Sequence, residues 1–382
     1  MKMWSFLCLL LGFFLAFGAE AQTACPTMNL YKIPDGPYQK IPLYDQEESN
    51  LCYAYSAADM TNFDLLSSKK TKEVVVDPVW VAYVDKSKNT DYKLDFGRAK
   101  EAIESLNQMG ICKASKVEEF IQKFSHEVGL TEIQVMNFLA DLESKIFKLT
   151  SYPEHQKKNA DGSYSRLQEN VFSEAYKDIA EKYEIIHVED QVACQKNILL
   201  ENDLKQINFI KNNAITICQE YIFKECKGPI LLKNYQFNTN SLKNATASDQ
   251  EVSQKIRSRL GNNLQPLQIG YCANIFSDSS YDGIPTKDRN KRADDCLAHS
   301  SVLVGARSLQ NKCQYLLRNT HGPQWGEWNR HLTCFCQDKK TKKMIEDCTA
   351  QKNPSLDFTI LGCWIPEEIL SKNISNMSWI EK

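Results

Sequence analysis

After its first two dozen residues, the chain of 382 residues contains no apolar run approaching the ~18 residues that a membrane-spanning helix needs. A helical membrane protein is not the reading, and a soluble mature chain is expected, with no membrane partner once the leader is removed. Charge of one sign is equally scarce: 46 Lys and Arg stand against 48 Asp and Glu, a formal net charge of −2. Without a basic excess, nucleic acid is not an expected partner. Internal repeats and low-complexity tracts are missing too. The ~360 residues behind the leader suffice for one large or two modest domains.

What is there begins with that leader. Residues 1–21 open with Lys2, run through WSFLCLLLGFFLAF and end on Ala19-Glu20-Ala21, with small residues at the two positions a signal peptidase inspects. Gln22 is the expected new N-terminus, and secretion (extracellular, periplasmic or lumenal) the expected destination. Lipidation at Cys25 is the alternative, disfavoured because that cysteine stands well beyond the apolar run. Cysteine is plentiful: 14 residues, or 13 once Cys8 leaves with the leader. An odd number in an oxidising compartment leaves one thiol unpaired. If that thiol is Cys52, the others can form six disulfides, whose connectivity the sequence leaves open.

Residues 51–66 place Leu51, Ala54, Tyr55, Ala58 and Leu65 at helical spacing, with Asn50 positioned to cap. A second helix is predicted over 98–110, ending at Gly110. Residues 118–248 read as mostly helical, with a capping box at Thr131–Gln134 and a polar, loop-like stretch at 237–250. A short helix over 254–261 leads into strand-like segments at 267–276, 300–306, 314–320 and 358–365. The fold class predicted is α+β in two lobes. Its parts are a signal peptide (1–21), a helical lobe (22–117), a helical insertion (118–248) and a β-rich lobe (249–382).

Cys52 falls in the opening turn of the first helix, where unsatisfied N–H groups and the positive end of the macrodipole favour a thiolate. Alone, such a cysteine is more often a buried hydrophobe or a disulfide partner. His299 and Asn319 change the balance. They lie at the ends of two strand-like segments, and a hairpin turning near Leu309 sets them opposite each other on one face. An amide so placed fixes the orientation and tautomer of an imidazole. Gln46, six residues before Cys52, offers a side-chain N–H that could join the Cys52 backbone N–H in an oxyanion hole.

The order Gln46, Cys52, His299, Asn319 resembles that of the papain-like cysteine proteases. Asp45–Ser56 is similar to that family's glutamine-to-nucleophile segment, Leu297–Gly305 to its histidine strand, and Tyr315–Glu327 to its asparagine strand and tryptophan–glycine turn. Weaker echoes lie at Val75–Pro78, Ala102–Cys112 and Ile256–Tyr271. The likeness covers roughly residues 38–117 and 250–368. It implies a two-lobed papain-like fold, with a helical left lobe and a β-barrel-like right lobe, and a cysteine peptidase acting on protein or peptide substrates. Cys52, His299 and Asn319 would be catalytic and Gln46 the oxyanion donor, with Trp325 packing over the His–Asn pair. No metal or other cofactor is implied. A protein inhibitor is a further candidate partner, and the oligomeric state is open.

Departures from the family pattern are specific. Ser49-Asn50-Leu51 replaces the usual Cys-Gly-Ser, and His321 stands where a tryptophan usually shields the His–Asn hydrogen bond. No glycine-rich segment is present to hold a substrate backbone. The 247 residues from Cys52 to His299 exceed the usual ~130, and 118–248 accounts for the excess. About 30 residues separate Gln22 from Cys52, too few for the family's inhibitory propeptide, so the insertion is expected either to restrict access to the cleft or to serve as a partner-binding subdomain. His331, Cys334, Cys336 and Cys348 have zinc-ligand chemistry, but disulfides are the favoured reading. The alternatives to a peptidase are a catalytically impaired binding or inhibitory module, and a Cys-His cell-wall amidase.

Overall fold

The computed structural model describes residues 25–46, 51–88, 97–128, 236–243, 248–273, 298–320, 332–349 and 357–381. Behind a short strand, β1 (Met28–Asn29), and two 3-10 turns (Leu30–Lys32 and Pro37–Gln39) come four helices: α1 (Cys52–Ser67), α2 (Pro78–Lys88), α3 (Ala99–Met109) and α4 (Ala114–Val128). β1 joins an antiparallel sheet whose other strands follow: β2 (Asn238–Lys243), β3 (Leu267–Cys272), β4 (Ala298–Leu309), β5 (Lys312–Arg318), β6 (Thr333–Asp338), β7 (Met344–Thr349), β8 (Phe358–Pro366) and β9 (Ile374–Glu381). The strand order is β2-β9-β3-β4-β5-β8-β6-β7, with β1 paired to β4. Helices α5 (Asp249–Asn263) and α6 (Glu367–Asn373) complete the described elements. The α+β class predicted from the pattern is the class observed.

The sheet separates two apolar clusters. On one face Val302, Val304, Leu316 and Trp364 pack with α1, α2 and α3. On the other, Leu303, Tyr315 and Leu317 pack with Val252, Ile256 and Leu260 of α5 and Leu370 of α6. Covering both faces explains why β4 and β5 are nearly continuous apolar runs rather than alternating ones. Helix α1 is also buried nearly all round, because it lies between the sheet and its fellow helices; residues 53–65 are all buried. It therefore carries more apolar surface than the single stripe predicted from spacing. Its start differs by one residue from the predicted one, with Leu51 at the N-cap and no side-chain cap, and Asn50 lies outside the described residues.

One expectation needs correction. Within the stretch read as a loop, 237–250, Asn238–Lys243 forms an edge strand on β9, and Ser248 caps α5 through a reciprocal box with Glu251. The polar side chains of Asn-Thr-Asn-Ser suit an edge strand half exposed to water, which hides its period-two signal. That strand is anchored to α3, where Asn107 exchanges two hydrogen bonds with the Phe237 backbone at 2.8 and 2.9 Å. These residues and α4 are the described ends of the 118–248 segment, and the capping box at Thr131–Gln134 lies outside the described residues. The structure also disposes of the disfavoured alternative at Cys25. That cysteine forms a disulfide with Cys313, so its sulfur is not available for a lipid.

Asp77 shows how burial and capping compete. Its carboxylate accepts N–H groups of Val79 at 2.8 Å and Trp80 at 3.4 Å, capping α2. Burial nevertheless pushes the carboxyl from 3.8 up to about 6, outweighing those bonds. A carboxyl raised in the folded state contributes stability that is complete below about pH 4 and lost as pH rises through about 6. Asp77→Asn keeps an acceptor and removes the titration. In urea titrations it is expected to be about 1–3 kcal/mol more stable than wild type at pH 7.5, with the difference vanishing near pH 4.

Candidate active site

Cys52 occupies the first turn of α1, so its N–H is among those with no intrahelical partner. It is the free cysteine among the described residues. Cys25–Cys313, Cys334–Cys363 and Cys336–Cys348 are disulfides, and Cys112 and Cys272 are also disulfide-bonded. The sulfurs weighed as zinc ligands are thus consumed in bridges, with KKTKK (339–343) at the turn between β6 and β7.

The half-buried Cys52 thiol is not depressed by the helix terminus, as the sequence suggested. Burial pushes it from 9.0 up to about 11, against smaller opposite effects from the backbone N–H groups of Ser300, Tyr53 and Cys52 itself. Removal from water costs the thiolate more than three backbone dipoles return. The Ser300 contribution places the sulfur beside the peptide that joins His299 to Ser300.

His299 and Asn319 meet, but in a different register from the direct opposition read from the sequence. The hairpin turns at Gln310 and Asn311, both with positive φ, and pairs Leu309 with Lys312 through Gly305 with Leu316. Continued unbroken, that register would put His299 and Asn319 on opposite faces. A bulge between Leu303 and Gly305 shifts the pairing by one residue, to Leu303 with Leu317 and Val302 with Arg318. One further step sets Asn319 level with Ser301, and His299 is its diagonal neighbour on the same face. The His299 Nε2–Asn319 Oδ1 distance is 2.7 Å, and both residues are buried. An amide oxygen only accepts, so Nε2 carries the proton and Nδ1 is the basic nitrogen.

Gln46 is buried and tied to the end of β5. Its backbone N–H donates to the Thr320 carbonyl at 2.7 Å, and the Thr320 hydroxyl donates to Gln46 Oε1. Engaging the oxygen fixes the flip of the amide and turns its NH2 end the other way. Trp325, His321, Ser49 and Asn50 lie outside the described residues.

Several residues that position this group were not singled out from sequence. Ser300 donates to Ser56, one helical turn beyond Cys52, at 3.0 Å, and accepts from Gln268 at 3.0 Å. Arg318, next to Asn319, is buried and places Nε 2.5 Å from Asp59 on α1, while Tyr38 donates to the same carboxylate at 2.6 Å. Its other nitrogens reach the Tyr31 hydroxyl and the Pro42 carbonyl. A signal was available: Asp59 and Arg318 are lone opposite charges inside apolar segments, which rarely go unpaired. Gly97 brings backbone close onto the Tyr53 ring. A Cβ there would lie 2.1 Å from a ring carbon.

Among solved structures, the chain is similar to xylellain, a cysteine protease from Xylella fastidiosa, at 12% identity over 95% of this chain and 89% of that one, with a TM-score of 0.41. It is also similar to digestive procathepsin L 3 of Tenebrio molitor larval midgut, at 11% identity over 97% and 79% of the two chains, with a TM-score of 0.36. No family model matches the chain, and no curated protein matches it.

Proposed function

We propose that this chain is a secreted papain-like cysteine peptidase that hydrolyses peptide bonds through Cys52, His299 and Asn319. The observation that carries the reading is the buried 2.7 Å hydrogen bond from His299 Nε2 to Asn319 Oδ1, on a strand whose next residue lies against the unpaired sulfur of Cys52. It holds the imidazole in the tautomer whose Nδ1 can take the thiol proton. The elevated thiol makes that transfer indispensable, because burial keeps Cys52 protonated at neutral pH until a base takes the proton.

In this reading the Cys52 sulfur attacks the peptide carbonyl while its proton resides on His299 Nδ1. That proton goes to the leaving amine as the C–N bond breaks, leaving a thioester. His299 then takes a proton from water, which attacks the thioester and restores the thiol. Gln46 Nε2 and the Cys52 N–H donate to the tetrahedral oxyanion, each typically worth about 2.7–4 kcal/mol. Trp325 is assigned a covering role over the His–Asn pair, and His321 the space of the tryptophan it replaces. Three disulfides with both partners described support passage through an oxidising compartment.

Incubation with a mixed peptide pool tests the proposal. Wild type is expected to generate new termini, and Cys52→Ala none; equal product from both proteins would refute it. The competing reading, a catalytically silent binding module, is favoured by the elevated thiol alone. It predicts no turnover from either protein.

A further inference from the structure

We propose that Ser301 and Tyr271 are positioning residues for the His299–Asn319 pair, an inference that rests on the peptidase reading and extends it. The Ser301 hydroxyl donates to Asn319 Oδ1 at 3.3 Å, alongside the 2.7 Å bond from His299 Nε2. The amide oxygen has two lone pairs, and these two donors use both. A terminal amide torsion is broad and roughly two-fold, so a single hydrogen bond leaves the Asn319 plane free to tilt. Two donors from adjacent same-face positions of β4 remove that freedom, and a flipped amide would confront both with N–H groups.

With its one proton given to Asn319, the Ser301 hydroxyl can only accept from any further donor. Tyr271 supplies that donor, its hydroxyl lying 2.9 Å from Ser301 Oγ. Proton direction is then fixed along the chain: Tyr271 O–H to Ser301, Ser301 O–H to Asn319. Burial keeps the phenol protonated by pushing its ionisation well above 10.0, against the opposing effect of the Ser301 bond; nearby Cys52 raises it further. Tyr271 has a second contact with the pair. Its ring stands edge-on to the His299 imidazole, with centroids 5.6 Å apart and planes at 79°, closing one side of the ring. Strand pairing produces this arrangement, since Tyr271 on β3 is directly opposite His299 on β4. Ser301 and Tyr271 are almost wholly buried, so neither can be a substrate contact in this structure.

The test is a mutant cycle on the full chain, begun once turnover by wild type and its loss in Cys52→Ala are in hand. Tyr271→Phe keeps the ring and removes only the hydroxyl; Ser301→Ala removes the second donor. Each is expected to lower kcat about tenfold with KM within about twofold of wild type. In an Asn319→Ala background neither should have any further effect, because both act through that oxygen. Unchanged kcat, or an equal loss with and without Asn319, overturns the proposal by showing that the two residues only fill the core. An NMR measurement separates this outcome from failure of the peptidase reading. Exchange of the His299 Nε2 proton with water should accelerate about tenfold in Ser301→Ala whether or not the protein cleaves peptides, and equal exchange rates count against the inference.

Discussion

Arg318→Ala is expected to lower the free energy of unfolding by about 3–5 kcal/mol, the usual effect of stranding one member of a buried ion pair. Arg318 and Asp59 each have side chains 2% exposed, so water cannot replace the lost partner. The guanidinium also stacks 5.0 Å from the Tyr38 ring and hydrogen-bonds Tyr31, whose hydroxyl in turn donates to the Leu361 carbonyl. Asp59 lies two helical turns beyond Cys52, and Arg318 immediately precedes Asn319. The pair therefore ties the nucleophile helix to the strand that orients the imidazole. Denaturant melts should show Asp59→Leu with Arg318→Met recovering most of the loss, since an apolar pair leaves no buried charge. Single variants within about 0.5 kcal/mol of wild type would remove this network from the account.

The second large effect is on turnover. His299→Ala is expected to lower kcat/KM on a peptide substrate by about 10²–10⁴, the range typical of a lost general acid–base. The upper end is favoured here, because burial holds the thiol up at about 11 and its proton has to be taken by a neighbouring base. Asn319→Ala should cost less, since it loosens the ring without removing it. Progress curves for the three proteins measure this directly, and a His299→Ala enzyme within tenfold of wild type would place the base elsewhere.

Much of the site was legible in the sequence because its members sit at element ends, which composition marks well. Cys52 opens an apolar helix, and His299 and Asn319 flank two β-branched, aromatic runs. The register between those runs was not legible. The two-residue turn at Gln310–Asn311 lacks the glycine that signals such turns, and no sequence mark announces the bulge at Val304. The edge strand β2 was read as a loop because exposed polar side chains suit both. Asp59 and Arg318 were visible as isolated charges, but pairing them required knowing that α1 crosses β5. The thiol was misjudged for a physical reason: local sequence shows the helix dipole, whereas desolvation comes from the whole fold.

The central claim is that His299 makes the Cys52 sulfur reactive at a pH where burial alone would keep it protonated. The rate of Cys52 alkylation by iodoacetamide, followed by intact mass from pH 4 to 11, tests it most directly in wild type and His299→Ala. Wild type is expected to react readily near pH 6, while His299→Ala reacts only at distinctly alkaline pH, the direction in which burial pushes the thiol. Superimposable curves rising together at high pH would contradict the account, for they would show a sulfur indifferent to the ring.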